Sequence, residues 1–194
     1  MIGRAMETID GILGSTMTAK QKETAFACLI ESQGGQLSAL VKRFPGASAS
    51  DQGTIMATLE TVSKRRPTSV LLHARFVIEH IEDAQPRVRW EASRVVGNLA
   101  ATHAPIVRSA VPALLRSARH EGTVVRWSAA FALSELALND AAIARDLVPR
   151  LEALAHRETG GGIRKMYERA LKRLAPTPGA ARRPRKPPRS RTPS

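Results

Sequence analysis

Apolar residues recur along the middle of the chain with the spacing of one helix face. Within 88–99 the apolar positions fall at i, i+4, i+7, i+8 and i+11, and the same spacing returns 37 residues later within 125–136. Positions at these intervals form one stripe of an α-helix. The two stripes consist of Val88, Ala92, Val95, Val96 and Leu99, then Val125, Ala129, Ala132, Leu133 and Leu136. A fixed period of this length predicts a supersecondary unit that is repeated along the chain.

A second helical stripe completes each unit. Between the two strong copies, Ile106–Leu115 has apolar residues at helical spacing, and its Val-Pro step returns before Leu151. Weaker copies lie upstream, where Val77 and Leu40 occupy the repeat position of Leu114. No segment alternates with period two over a useful length. We therefore predict an all-α fold, an α-solenoid (superhelix) of about four and a half helix-pair repeats with a period of about 37.

Two prolines stand at the same place in successive units. Pro112 and Pro149 are 37 residues apart, each in the second helix of its unit. An interior proline removes a backbone donor and costs a helix ~3 kcal/mol, whereas the first turn of a helix tolerates it. We therefore expect a short helical turn before each proline and a main second helix that restarts with proline in its first turn.

Two segments share a motif. Pro86–Ala92 reads Pro-Arg-Val-Arg-Trp-Glu-Ala, and Thr123–Leu133 repeats the Val-Arg-Trp step and ends in Ala-Ala-Phe-Ala-Leu. These segments resemble HEAT repeats, particularly the subtype named after phycobilisome lyases. Gly97 matches the glycine of that pattern, and Ser134 replaces it in the next unit. The resemblance extends over 18–175 and is most specific in the third and fourth units.

The resemblance implies an architecture more than an activity. A HEAT array is a right-handed solenoid whose second helices line the concave side, and such arrays resemble one another without sharing a function. On this basis we divide the chain into an N-terminal extension (1–17), a HEAT-repeat solenoid (18–175) and a basic tail rich in proline and arginine (176–194).

Positive charge is concentrated in that tail. The chain has a formal net charge of +13, and the tail contains arginine and lysine but no acidic residue. Because it is also rich in proline and poor in large apolar residues, we expect the tail to be disordered. A basic tail binds anions, nucleic acid among them, without selectivity; the alternative is a solvated tail with no dedicated ligand. Its candidate partner-binding residues are Arg182, Arg183, Arg185 and Lys186.

Arginines also populate the predicted second helices. The candidate partner-binding residues there are Arg75, Arg108, Arg116, Arg119, Arg145 and Arg150, with Lys42 and Arg43 in an earlier unit. We therefore predict a non-catalytic HEAT-repeat scaffold for protein–protein interaction, with an acidic protein as partner. The alternative is a nucleic-acid-binding solenoid that uses the basic concave face and the tail. A third reading is a HEAT-like enzyme of the base-excision or bilin-lyase type.

One position of the repeat carries arginine, and the next carries tryptophan in two units. We expect Arg89, Arg126 and Arg164 to form a structural ladder with the acids of the inter-repeat turns, Asp83, Glu121 and Glu158. The alternative is that these arginines bind a ligand. We likewise expect Trp90 and Trp127 to be structural packing residues, although two such side chains could bracket a flat ligand.

Little in the sequence indicates reaction chemistry. We predict no catalytic residues, no cofactor and no metal site, since the single Cys28 excludes a cysteine-cluster zinc site and is expected to be buried. No apolar run approaches the ~18 residues of a membrane span. Acidic Glu7 and Asp10 stand where a signal peptide would be apolar, so we expect a cytoplasmic protein.

Overall fold

The computed structural model describes residues 8–33 and 35–175. The predicted tail, with Arg182, Arg183, Arg185 and Lys186, lies outside the described residues, as does 1–7. Within the described ranges every regular element is a helix, which confirms the all-α prediction. The α-helices are α1 (Ile9–Leu13), α2 (Ala19–Ser32), α3 (Gln36–Arg43), α4 (Ala49–Arg65), α5 (Pro67–Val70), α6 (Ala74–Glu79), α7 (Pro86–Val107), α8 (Val111–Ser117), α9 (Thr123–Asn139), α10 (Ala141–Arg157) and α11 (Gly161–Leu174).

The helices stack in two layers. The first helices of successive units, α2, α4, α7, α9 and α11, pack side by side in chain order, and α7 makes its most extensive contact with α9. The second helices are α3, α5 together with α6, α8 and α10. They pack against the first helix of their own unit or of the next one. This stacking of helix pairs along one direction confirms the predicted α-solenoid.

The core lies between the first helices. All residues of the two predicted stripes, 88–99 and 125–136, are buried, and so is Leu114 of α8. Gly97 lets α7 and α9 approach closely, because a Cβ at this position would lie 2.4 Å from Cε1 of Phe131. The packing of aliphatic and small residues against one another gives the array its continuous interior.

Side-chain caps fix where several of the long helices begin. The Thr18 hydroxyl accepts a hydrogen bond from the backbone N–H of Gln21, whose side chain accepts one from the backbone N–H of Thr18. Ser48 caps α4 and Asp140 caps α10 by accepting from backbone N–H groups of the first turn. Such caps satisfy donors that have no partner within the helix. α7 instead begins with Pro86 in its first turn.

The two repeated prolines have different surroundings. α8 begins with Pro112 in its first turn and follows a short 3₁₀ turn at Arg108–Ala110, as predicted. The prediction for Pro149 is wrong, because α10 runs without a break through it. Pro149 leaves the carbonyl of Arg145 without its helical donor. Both residues are exposed, so water can bind that carbonyl and reduce the cost of the proline.

The structure also differs from prediction at α1 and at Cys28. α1 falls within the predicted N-terminal extension, but Ile12 is buried, and Asp10 accepts two hydrogen bonds of 2.7 Å from the Arg43 guanidinium. The described part of the predicted extension therefore packs against the solenoid. The prediction that Cys28 is buried is wrong, because its side chain is exposed. It lies on the solvent side of α2, whose core side carries Phe26.

Candidate functional site

A groove opens between α8 and α10, the second helices of the third and fourth units. These helices do not pack closely on each other, and the space between them has a volume of about 770 Å³. The turns that follow the two helices contribute His120 and Thr159 to its wall. A concavity of this size is comparable to sites that bury a small ligand or several side chains.

Each helix contributes one stripe to the groove. The lining positions are i, i+3, i+4 and i+7, which share one face of an α-helix. They are Pro112, Leu115 and Arg116 on α8 with Arg119 in the turn directly after it, and Arg150, Ala153, Leu154 and Arg157 on α10. In each stripe the middle positions include an apolar residue, and at least one end position is an arginine. The groove is therefore apolar along its floor and basic at its rim.

Three of the rim arginines have no ion-pair partner. The guanidinium groups of Arg119, Arg150 and Arg157 are exposed, and no acidic side chain within the described ranges pairs with them. Arg116 differs, since it donates two hydrogen bonds of 2.8 and 2.6 Å to the carboxylate of Glu82. Three cations of the rim are thus free to bind an anion, and the fourth is already paired.

A buried ion pair closes the end of the groove near the turns. Nε of Arg126 donates to the Glu158 carboxylate at 3.0 Å, and its Nη1 donates to the carbonyls of His120 and Glu121. Burial opposes ionisation of Glu158, but the hydrogen bonds from Arg126 and from the backbone N–H of Gly160 outweigh it and lower the pKa of this carboxyl group. Arg126 therefore connects α9 to the turn after α8 and to the turn after α10.

Other predicted binding residues do not meet at this groove. Arg75 pairs with Glu79, Arg108 with Asp146, and Arg43 with Asp10. Arg145 and Lys42 are exposed and form no ion pair within 8–33 and 35–175, but neither lines the groove.

Of the candidates on the second helices, the groove brings together Arg116, Arg119 and Arg150. Sequence reasoning missed Arg157, although its position seven residues after Arg150 places it on the same stripe.

Comparisons with known proteins agree with this architecture. The family model of the HEAT-like repeat matches residues 86–136. Residues 86–136 thus contain a HEAT-like repeat within the α-solenoid. Its fold is similar to a designed armadillo repeat protein, with a TM-score of 0.66 and 18% identity over 90% of both chains. It is also similar to a designed armadillo repeat protein in complex with the peptide (KR)4, with a TM-score of 0.70 and 16% identity over 90% of both chains. A search of curated proteins found no significant match.

The three repeated arginines have different environments. Arg126 reaches the carboxylate of Glu158, the first residue after α10. Arg89 instead donates to the backbone carbonyls of Glu82 and Asp83, at 2.9 to 3.3 Å. Arg164 is exposed and lies 3.9 Å from Glu168 on its own helix. Among these three arginines, only Arg126 reaches an inter-repeat acid with its side chain.

The two tryptophans of the HEAT-like motif also differ in environment. Trp90 is half-buried with the Arg94 guanidinium over its ring, 5.6 Å from the centroid. Its indole Nε1 is buried and has no hydrogen-bond partner among the residues that the structure describes. Trp127 is 41% exposed and stacks on Phe131, with 6.1 Å between ring centroids. Each tryptophan thus packs on a side chain of its own helix, one turn further on.

A buried acidic network crosses the first-helix layer, and sequence reasoning missed it. The carboxylates of Glu60 and Glu91 are almost fully buried and both pair with Arg94, at 2.6 and 3.1 Å. Asn98 donates to the Ser63 hydroxyl beside them at 2.9 Å. Burial raises the pKa of Glu91, and the attraction of Arg94 opposes this rise. The network joins α4 to α7 and leaves none of its charges unpaired.

Two further observations concern ligands and membranes. Among the residues that the structure describes, no group of three or more His, Cys, Asp or Glu side chains is placed to hold a metal ion. No helix in 8–33 or 35–175 is long and apolar enough to span a bilayer.

Proposed function

We propose that this HEAT-type protein is a non-catalytic scaffold that binds a segment of a partner protein in the groove between α8 and α10. The observation that carries the proposal is the groove itself. It combines an apolar floor, at Leu115 and Leu154, with rim arginines that have no partner among the described residues. Apolar surface and unpaired donors side by side are what a binding site for a polypeptide offers.

The solved structures of similar fold support a peptide as ligand. One designed armadillo repeat protein is in complex with the peptide (KR)4, and another was designed for modular peptide recognition. At 16–17% identity these proteins share only the fold with this chain. The site is therefore proposed from the groove of this chain, and the similar structures add that stacked helical repeats can hold a peptide.

A displayed-peptide selection against the full-length protein tests the proposal. The decisive variant is Ala153→Trp, because Ala153 is exposed within the groove and a tryptophan there fills it without entering the core. The matched control is Ala141→Trp, an exposed alanine on the same helix outside the groove. Both variants add the same apolar side chain, so they differ only in where the tryptophan lies.

We expect selected peptides to bind the wild type and Ala141→Trp equally and Ala153→Trp at least about tenfold more weakly, a loss of ~1.4 kcal/mol. Failure to enrich any peptide would refute the proposal. So would equal binding to both variants, because the ligand would then lie elsewhere on the solenoid.

A further inference from the structure

We infer that the groove between α8 and α10 recognises an acidic segment, with carboxylates bound by Arg119, Arg150 and Arg157 around an apolar residue. This inference rests on the proposed function and names the chemistry of its ligand. It assigns a role to the charges of these three arginines, which form no ion pair within the described residues.

The first argument is charge complementarity. The acid that lines the groove, Glu158, binds Arg126, and Glu82 binds the rim residue Arg116. The remaining rim arginines therefore give the groove a net positive charge. A guanidinium presents donors in a plane that matches a carboxylate. A basic segment would be repelled by these arginines. A neutral segment would leave their N–H donors hydrogen-bonded only to water.

The second argument is spacing. Arg150 and Arg157 are seven residues apart on α10, and at 1.5 Å rise per residue this places their Cα atoms roughly 10 Å apart along the helix axis. A segment in the polyproline II conformation rises about 3.1 Å per residue and completes a turn in three residues, so its residues i and i+3 span that distance on the same side. Between the arginines the groove presents Ala153 and Leu154. The best ligand therefore has two carboxylates about three residues apart with an apolar side chain between them.

The lining also favours a polypeptide over nucleic acid. Single-stranded nucleic acid is held by aromatic side chains on which bases stack. The groove offers the imidazole of His120, the hydroxyl of Thr159 and otherwise aliphatic, proline and charged side chains. Its floor is suited to a leucine-like side chain.

The test uses three labelled peptides of equal length, with the cores Glu-Ala-Leu-Glu, Gln-Ala-Leu-Gln and Lys-Ala-Leu-Lys in identical flanks. Their affinities for the full-length protein are measured by fluorescence anisotropy. The groove variant carries Arg119→Gln, Arg150→Gln and Arg157→Gln, all at exposed positions. The matched control is Arg145→Gln, an exposed arginine on α10 outside the groove. Every variant retains 176–194, so binding to the charges of that segment is the same in each.

We expect the Glu peptide to bind about tenfold or more tightly than the Gln peptide, and the Lys peptide to bind more weakly still. The preference should shrink as salt rises, since exposed charges are screened. The groove variant should lose it, while Arg145→Gln should keep it.

Two results would overturn the inference. Equal affinity for the Glu and Gln peptides, lost on Ala153→Trp, would leave the proposed function standing and refute the acidic ligand. A labelled single-stranded oligonucleotide that binds the wild type more tightly than the Glu peptide, and that the groove variant fails to bind, would replace the peptide by nucleic acid. Failure of the proposed function itself is recognised separately, by the absence of any selected peptide that Ala153→Trp weakens.

Discussion

The first-helix layer and the second-helix layer hold their charged residues in opposite ways. In the first layer, Glu60 and Glu91 are buried and share Arg94. In the second layer, Arg119 and Arg150 are exposed and have no ion-pair partner within the described ranges. A buried charge must be paired because it has lost its water, whereas an exposed charge stays solvated and free. The first layer thus holds the stack together, and the second can bind.

The layers also differ in continuity. First helices such as α4 and α9 are long and pack on their neighbours along their length. The second helix of the second unit is divided into α5, a 3₁₀ turn and α6, and α8 is short, whereas α10 is as long as α4 and α9. Because a solenoid is stabilised by each unit and its neighbours, the packed layer can carry the stability while the other layer varies. Substitutions in each layer test this division.

The largest expected effect is that of Leu133→Ala in the first layer. Leu133 is fully buried in α9, so its truncation should reduce the free energy of unfolding by ~2–5 kcal/mol. Its counterpart Leu115→Ala, at a half-buried position of the groove, should cost about 1 kcal/mol. Urea denaturation measures both. Equal losses would contradict the division between layers, and hydrogen exchange on Leu133→Ala should show the greatest loss of protection in α9 to α11.

Gly97→Ala tests the close approach of two first helices. An added Cβ would lie 2.4 Å from the Phe131 ring and 3.2 Å from the Cα of Ala132, so we expect a loss of ~1–3 kcal/mol. The matched control is Gly162→Ala at the start of α11, where a Cβ meets nothing within 4 Å. That change should be neutral or stabilise by up to ~1 kcal/mol. Thermal unfolding distinguishes them, and a Gly97→Ala variant as stable as the wild type would show that α7 and α9 can separate without cost.

The sequence was sufficient to predict the first layer's core and insufficient for its polar contacts. The stripe from Val88 to Leu99 is a local pattern, and all of its residues are buried. The pairing of Arg94 with Glu60 depends on how α7 sits against α4. No property of either segment alone determines that register. The same limit explains Cys28, whose apolar neighbours in sequence do not show which side of α2 faces the core.

The groove was predictable only in part. Arg116, Arg119 and Arg150 were identified as basic residues of second helices, but Arg157 was not. Which arginines are free depends on contacts between units, such as that of Arg116 with Glu82, 34 residues apart in sequence. The continuity of α10 through Pro149 was also missed, because whether an interior proline breaks a helix depends on the packing around it.

Glu158→Gln and Glu91→Gln should shift stability in opposite directions. The pKa of Glu158 is lowered in the folded protein, so its stabilisation is present above the ordinary value of 4.5 and is lost as the pH falls below it. We expect Glu158→Gln to cost ~1–2 kcal/mol at neutral pH and much less under acidic conditions.

Glu91 follows the opposite rule. Burial raises its pKa, so ionisation of this group favours the unfolded chain and stability falls as the pH rises from 4.5 through the raised value. Glu91→Gln should therefore be neutral or stabilising at neutral pH, with no gain under acidic conditions. Urea denaturation at both pH values measures each variant. A loss at neutral pH for Glu91→Gln as large as that for Glu158→Gln would show that the pairing with Arg94 outweighs burial.

The smallest expected effect concerns the paired arginine of the groove. Hydrogen bonds from Arg116 hold the pKa of Glu82 below its usual value, which shows that this pair favours both charged forms. Glu82→Ala should release Arg116 as a fourth cation of the rim and raise the affinity for the Glu-Ala-Leu-Glu peptide about two- to threefold. Affinity for the Gln peptide should not change.

Glu79→Ala is the matched control, because it removes the same charge from an exposed acid paired with Arg75, away from the groove. If both substitutions raised the affinity equally, the gain would come from net charge at a distance. An increase confined to Glu82→Ala, and abolished by adding Arg116→Gln, would place the ligand's carboxylates within reach of α8.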